Sequence, residues 1–156
     1  MKTKKTVFLF LKKFIVFLLP IMATVYFFEM HLPKVQNSVS KKYTIFERTP
    51  DAEVIVLGAS HANHAINPTF LNKKTLNLAN IGQDLYYDAE IAKKVLEKSN
   101  TIKTIIVTIT YFSFDYRMVD RPDFWRSFSY THVWNITNEN PRLQLDPRSY
   151  SLLALY

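Results

Sequence analysis

A chain of 156 residues, 48% apolar and 15% aromatic, has room for about one domain and is too apolar to be disordered. It has no cysteine and 2 glycines, which excludes a disulfide framework, a thiol nucleophile, Cys-ligated metal and Gly-rich repeats. The net charge of +7 lies wholly in residues 1–50, with nine Lys/Arg against two Asp/Glu, whereas residues 51–156 hold eleven of each. A nucleic-acid binder carries its basic footprint on the folded domain, so this charge points to a membrane.

Lys2, Lys4, Lys5, Lys12 and Lys13 precede an uncharged apolar run at residues 14–28. Fifteen helical residues span about 22 Å, short of the roughly 30 Å hydrocarbon core. Residues 7–11 lengthen the run at one end and Met30 and Leu32 at the other. Lys12 and Lys13 then snorkel, and Pro20 is tolerable in such a helix. Lysines on the N-terminal side place that end inside and the remainder outside. A cleaved signal peptide and a buried core helix are the rival readings. Against cleavage, Tyr26-Phe27-Phe28-Glu29-Met30 offers no small-x-small site. The expected organisation is a basic cytoplasmic segment (1–13), a transmembrane signal-anchor (14–32), a polar Lys-rich stem between Pro33 and Pro50 (33–50) and an α/β domain (51–156).

Glu53-Val54-Ile55-Val56-Leu57, ended by Gly58, has the β-branched apolar character of a buried parallel strand. Residues 62–66 predict a short helix stopped by Asn67-Pro68, and residues 75–79 a second strand. From Asp84 to Lys98 the spacing is helical, with Leu85, Ala89, Ala92 and Leu96 on one face and Asp84 as N-cap. Thr104-Ile105-Ile106-Val107-Thr108-Ile109 is the strongest strand signal. This alternation predicts a parallel sheet, with the loops at 58–61, 80–84 and 110–113 converging beyond the strands' carboxyl ends. Residues 111–134 then hold nine aromatics without a clean period. They read either as a sugar-stacking surface or as rings that cap the sheet core or rest at the membrane interface.

Chemistry concentrates at Gly58-Ala59-Ser60-His61. Gly58 permits a tight turn, Ser60 stands at the strand's carboxyl end, and N–H groups at a helix start stabilise an oxyanion. The bland alternative is Ser60 as a simple helix N-cap. Ala62 departs from the G-x-S-x-G elbow, and no phosphate loop is present. His61, His64 and His132 are the candidates for a base, each with a hydrogen-bonded loop or surface histidine as the alternative; His61 and His64 form a possible metal pair on a helix turn, without the Glu of an H-E-x-x-H. Asp115, Asp120 and Asp123 read as solvated loop charges.

Val54-Ile55-Val56-Leu57-Gly58-Ala59-Ser60-His61 resembles the opening block of the SGNH (GDSL-type) hydrolases, and Asn77-Leu78-Ala79-Asn80-Ile81-Gly82 resembles their second block. Residues 58–68, 77–87 and 108–114 look like a membrane-anchored branch linked with modification of bacterial surface polysaccharides. The resemblance implies a three-layer, flavodoxin-like parallel α/β fold after a transmembrane helix. It implies Ser60 as nucleophile and the Gly82 backbone N–H in the oxyanion hole, with no cofactor and no metal. The implied activity is esterase or O-acyltransferase on ester-linked acyl groups. Partners would be an acylated surface glycan and an integral-membrane acyltransferase; the alternative is a non-catalytic module binding either one. Three departures stand out. Ala59 replaces the family's Asp, Thr110-Tyr111-Phe112-Ser113 replaces the third block, and the D-x-x-H that activates the serine is missing from residues 114–156. The expectation is a chain that stops mid-fold and is inactive without that base.

Overall fold

Three β-branched runs form one parallel sheet in the order β2-β1-β3: β1 is Val54–Leu57, β2 Thr75–Asn77 and β3 Thr104–Val107. The structure is a computed structural model describing residues 2–31 and 37–151. Val54 pairs with Thr75 and Thr104, and Val56 with Asn77 and Ile106. All four residues of β1 are buried. A strand covered on both faces reads as a continuous apolar run, which is what made it legible. β3 is different. It forms an edge of the sheet, with Val107 42% exposed and Ile109 beyond it 56% exposed. Its strong strand signal reflects β-propensity, not burial.

Helix α1 (Lys2–His31) runs unbroken through Lys12, Lys13 and Pro20. The stretch from Thr6 to His31 is 26 residues long and unburied, about 39 Å of helix. It is long and apolar enough to cross a membrane. The apolar run is therefore not limited by the lysine pair. Thr24 Oγ1 donates to Pro20 O at 2.8 Å, a local bond of the kind that accommodates proline in such helices.

The segment read as a stem contains a second helix, α2 (Ser38–Glu47), capped reciprocally by Asn37 and Ser40. Its buried side chains Val39 and Phe46 join the core. Tyr43 meets Trp134 edge-on at 4.9 Å, and Phe46 stacks on the same indole at 5.8 Å. The aromatic partner comes from nearly ninety residues away, so no local period announces this helix.

Short helix α3 (Ser60–Ala65) follows β1, and α4 (Leu85–Lys98) links β2 to β3. Asp84 caps α4 as expected, accepting from Tyr87 N at 3.1 Å. The core-facing side of α4 is not the one its apolar spacing suggests. Tyr87, Asp88, Ile91 and Val95 are buried, whereas Leu96 is 49% exposed. Two apolar stripes compete on this helix, and the tyrosine-rich one wins because it meets Tyr130 and Met118 across the core. After β3 the chain forms α5 (Ser127–Trp134) and the one-turn α6 (Pro141–Gln144). Ile55, Leu57, Leu76 and Leu78 pack with α2, α4 and α5 on one side of the sheet; Val56, Ala79 and Ile106 pack with Ala62 of α3 in a smaller cluster.

Tyr87 and Tyr130 stack at 4.3 Å and are both fully buried. The Tyr130 hydroxyl donates to Gln83 Oε1 at 3.0 Å, whereas the Tyr87 hydroxyl, which faces Ser127, makes no hydrogen bond of good geometry among the described residues. A buried hydroxyl without a partner costs about 1–3 kcal/mol of desolvation. Tyr87→Phe is therefore expected to raise stability by about 1 kcal/mol, read as a higher urea midpoint at unchanged m, and a clear loss would show that the hydroxyl bonds Ser127.

Candidate functional site

The loops that leave the carboxyl ends of the three strands are stitched together by backbone bonds. Asn80 N donates to Gly58 O at 3.1 Å, and Thr108 N donates to Leu57 O at 3.1 Å. The His61 ring lies 5.9 Å from the Phe112 ring, which joins the first loop to the third. Strand order reverses between β1 and β3, and in an open parallel sheet that reversal is where a crevice opens. The three stretches expected at one edge therefore meet there.

Gly58 is the tightest point. Its φ is +131°, and a Cβ there would sit 2.1 Å from Thr108 Oγ1 and 3.1 Å from Thr108 O. Only glycine fits. Its N–H is held by the carboxylate of Asp88, at 2.8 Å, in the buried face of α4. Gln83 Nε2 donates to the same Asp88 Oδ1 at 2.7 Å and receives the Tyr130 hydroxyl on its own oxygen. Asp84 completes the network by accepting from Met118 N at 2.7 Å. One chain of hydrogen bonds thus ties the Gly58 turn to α4, the second loop and α5.

Burial dominates the electrostatics of this network. It pushes the Asp88 carboxyl up to about 6, against the opposing hydrogen bonds from Gln83 and Gly58. Asp84 is raised for the same reason, with its backbone donors working the other way. Neither residue stands out in the sequence as more than a cap or an exposed helical acid. A weak clue was present: Asp88 lies four residues after Asp84, so both point toward the start of α4.

Ser60 is the first residue of α3 and half-buried. The cap position belongs to Ala59, in extended conformation and with no side-chain bond. Ser60 is therefore not the N-cap, and its hydroxyl makes no hydrogen bond to another described residue. None of His61, His64 or His132 is bonded to it. His61 and His64 are exposed, while His132 Nε2 sits 2.7 Å from Arg148 O, spanning α5 and the C-terminal turn. Among the described residues no three His, Asp or Glu side chains gather in a ligand set. Asp120 and Asp123 pair with Arg117 at 3.7 Å and Arg126 at 3.2 Å, and Asp115 is exposed.

The second block is held from below. Asn77 donates to Ala62 O at 2.9 Å and Ile66 O at 2.8 Å, satisfying carbonyls at the end of α3, and accepts from Ala79 N. Asn80, 2% exposed, reaches Ser38 of α2. Gly82 has φ +65° and its N–H meets no backbone acceptor among the described residues. The guanidinium of Arg126 and the hydroxyl of Tyr116 border it, since a Cβ there would lie 2.8 Å and 3.1 Å from them. Arg126 also donates to Ile81 O. That arginine escaped the sequence reading, because nothing local marks a residue 44 positions beyond the glycine it borders.

The nine aromatics divide. Phe128, Tyr130 and Trp134 are buried in or beside the core. Tyr111 is 95% exposed and Phe114 77% exposed in the third loop. The capping reading holds for α5 and not for that loop.

Comparison with protein-family models, curated proteins and solved structures gives no match.

Proposed function

We propose that this chain carries the nucleophile-bearing part of a membrane-anchored, SGNH-like esterase or O-acyltransferase. Its substrates are ester-linked acyl groups of a surface polysaccharide. The observation that carries the reading is Ser60, a half-buried serine at the end of the central strand whose hydroxyl is committed to no other described residue. In this reading Ser60 Oγ attacks the acyl carbonyl, and the acyl group passes to Ser60 as the sugar alkoxide leaves with a proton. The N–H groups of Ser60 and Gly82 face the developing oxyanion. Water or a second sugar hydroxyl then takes the acyl group from the serine.

A serine is a weak nucleophile without a positioned base, and the described histidines do not engage Ser60. That supports a second reading, a non-catalytic module that holds a glycan or an integral-membrane acyltransferase, with Tyr111 and Phe114 as the exposed contact. In both readings α1 is a single-pass anchor in the cell's inner membrane, with its lysine-rich end cytoplasmic and the α/β domain outside.

Ser60→Ala separates the two. The hydroxyl has no structural bond to lose, so the variant folds normally. Ester content of the surface polysaccharide is then the measurement. A change of tenfold or more in cells carrying Ser60→Ala supports acyl chemistry, and unchanged ester content supports the binding module.

A further inference from the structure

A groove of about 430 Å³ opens between α2, α3 and β2, and Ser60 is not among its lining residues. Its volume falls in the range of small-molecule sites. Lys42 and Ile45 of α2 form one wall, and Asn63, His64, Ile66 and Asn67 around α3 form the other.

Lys42 is the unusual feature. Its ammonium is half-buried and donates to Asn77 O at 2.8 Å. No carboxylate lies within ion-pair distance of it among the described residues, and none lines the groove. The lysines that precede β2 are paired by contrast: Lys73 with Glu53 at 3.5 Å, and Lys74 with Asp51 at 2.5 Å. A partly desolvated cation held by one carbonyl, with further N–H donors in hand, is stabilised by an anion. Burial has lowered the pKa of this ammonium below that of an ordinary lysine, consistent with a missing counter-charge.

The rest of the lining sets the size and character of that anion. The Asn63 amide makes no hydrogen bond to another described residue, and Asn67 uses only its oxygen, on Thr69. These amides suit hydroxyl groups, and Ile45, Ile66 and Leu76 supply an apolar wall. A bare ion would leave the amides and the apolar wall unused.

We propose that this groove binds a hydroxylated, sugar-sized molecule bearing one oxyanion, carboxylate or phosphate, with the oxyanion on Lys42 Nζ and the hydroxyls on Asn63 and Asn67. The site is separate from Ser60 and does not depend on the acyl chemistry.

The test is calorimetric titration of the full chain in zwitterionic detergent micelles with glucose 6-phosphate, glucuronate and glucose. The expected result is saturable one-to-one binding of at least one of the two anionic sugars with Kd below about 1 mM, and at least tenfold weaker binding of glucose. Which anion binds more tightly tells phosphate from carboxylate. Lys42→Gln is expected to weaken binding at least tenfold, and Lys41→Gln, an exposed neighbour, to leave it unchanged. Lys42 also ties α2 to β2, so Asn63→Leu serves as the variant that keeps the fold, with an expected loss of threefold or more. Absence of binding by both anionic sugars, equal binding of glucose, or affinity unmoved by both Lys42→Gln and Asn63→Leu overturns the proposal.

Discussion

Gly58→Ala is expected to destabilise the domain by about 3–5 kcal/mol. Two costs combine. A φ of +131° is a conformation that side-chain-bearing residues occupy at about 1–3 kcal/mol, and forcing a methyl group into a filled space costs about 1–3 kcal/mol more. The methyl would fall 2.1 Å from Thr108 Oγ1, 3.1 Å from Thr108 O and 3.3 Å from Ala62 Cβ. One of these obstacles is removable. Gly58→Ala/Thr108→Ala is expected to recover part of the loss and not all of it, because the backbone oxygen and the φ remain. Urea denaturation followed by the fluorescence of Trp125 and Trp134 measures both variants. Full stability in the single variant would mean that the turn adopts another conformation, and that the strand-to-Ser60 geometry is not held as described.

The second large effect is a dependence on pH centred on Asp88. Its carboxyl, 4% exposed, is raised to about 6 in the folded protein, against roughly 3.9 in an unfolded chain. Below pH 4 the acid is protonated in both states. Between pH 4 and 6 the unfolded chain releases the proton while the folded protein retains it, so stability falls as pH rises. Each pH unit costs about 1.4 kcal/mol, for a total near 2–3 kcal/mol, and above pH 6 the loss is complete. Asp88→Asn keeps an oxygen for the Gly58 N–H and has no charge to bury. It is expected to abolish most of this slope, leaving a residue from Asp84, and to match or exceed the wild type in stability at pH 7. Asp88→Ala instead leaves the Gly58 N–H and the Gln83 amide without their acceptor, at a cost of about 2–4 kcal/mol. Chemical denaturation from pH 4 to 7.5 reads all three proteins. An unchanged slope in Asp88→Asn would place the titration elsewhere.

Much of the sheet was legible because its signals are local. β1 is buried on both faces, so Val54-Ile55-Val56-Leu57 carries its own evidence, and Gly58 directly after it marks the turn. The Asp84 cap is equally local. What was hidden depends on partners distant in sequence. Helix α2 is stable because Tyr43 and Phe46 reach Trp134, and its own residues show only a polar, lysine-rich segment. The buried face of α4 was misread because Leu85, Ala89, Ala92 and Leu96 have the right spacing, while the choice between stripes rests on Tyr130 and on the Gly58 N–H that draws Asp88 inward.

The site was legible in its loops and not in its support. The spacing of G-x-S after a strand and N-x-x-N-x-G after the next located the first two loops, since glycines with positive φ and an asparagine such as Asn77 that holds backbone carbonyls leave a mark in sequence. The Asp88–Gln83–Tyr130 network and the Arg126 cover over Gly82 are tertiary and left no such mark. His132 also resolves only in three dimensions: the same residue type suits a base or a strut, and its contact with Arg148 O makes it a strut.

The reactivity of Ser60 toward a fluorophosphonate decides the central claim most directly. The full chain in detergent micelles is treated with the reagent, and the modified residue is located by mass spectrometry of its peptides. In the proposed reading, the N–H groups of Ser60 and Gly82 would stabilise the phosphonyl oxygen as Ser60 Oγ displaces fluoride, an aid that exposed serines lack. The expected result is one adduct, on Ser60, formed far faster than on other serines and absent from Ser60→Ala. A chain that stays unlabelled, or is labelled equally at Ser60 and at exposed serines, contradicts Ser60 as an activated nucleophile.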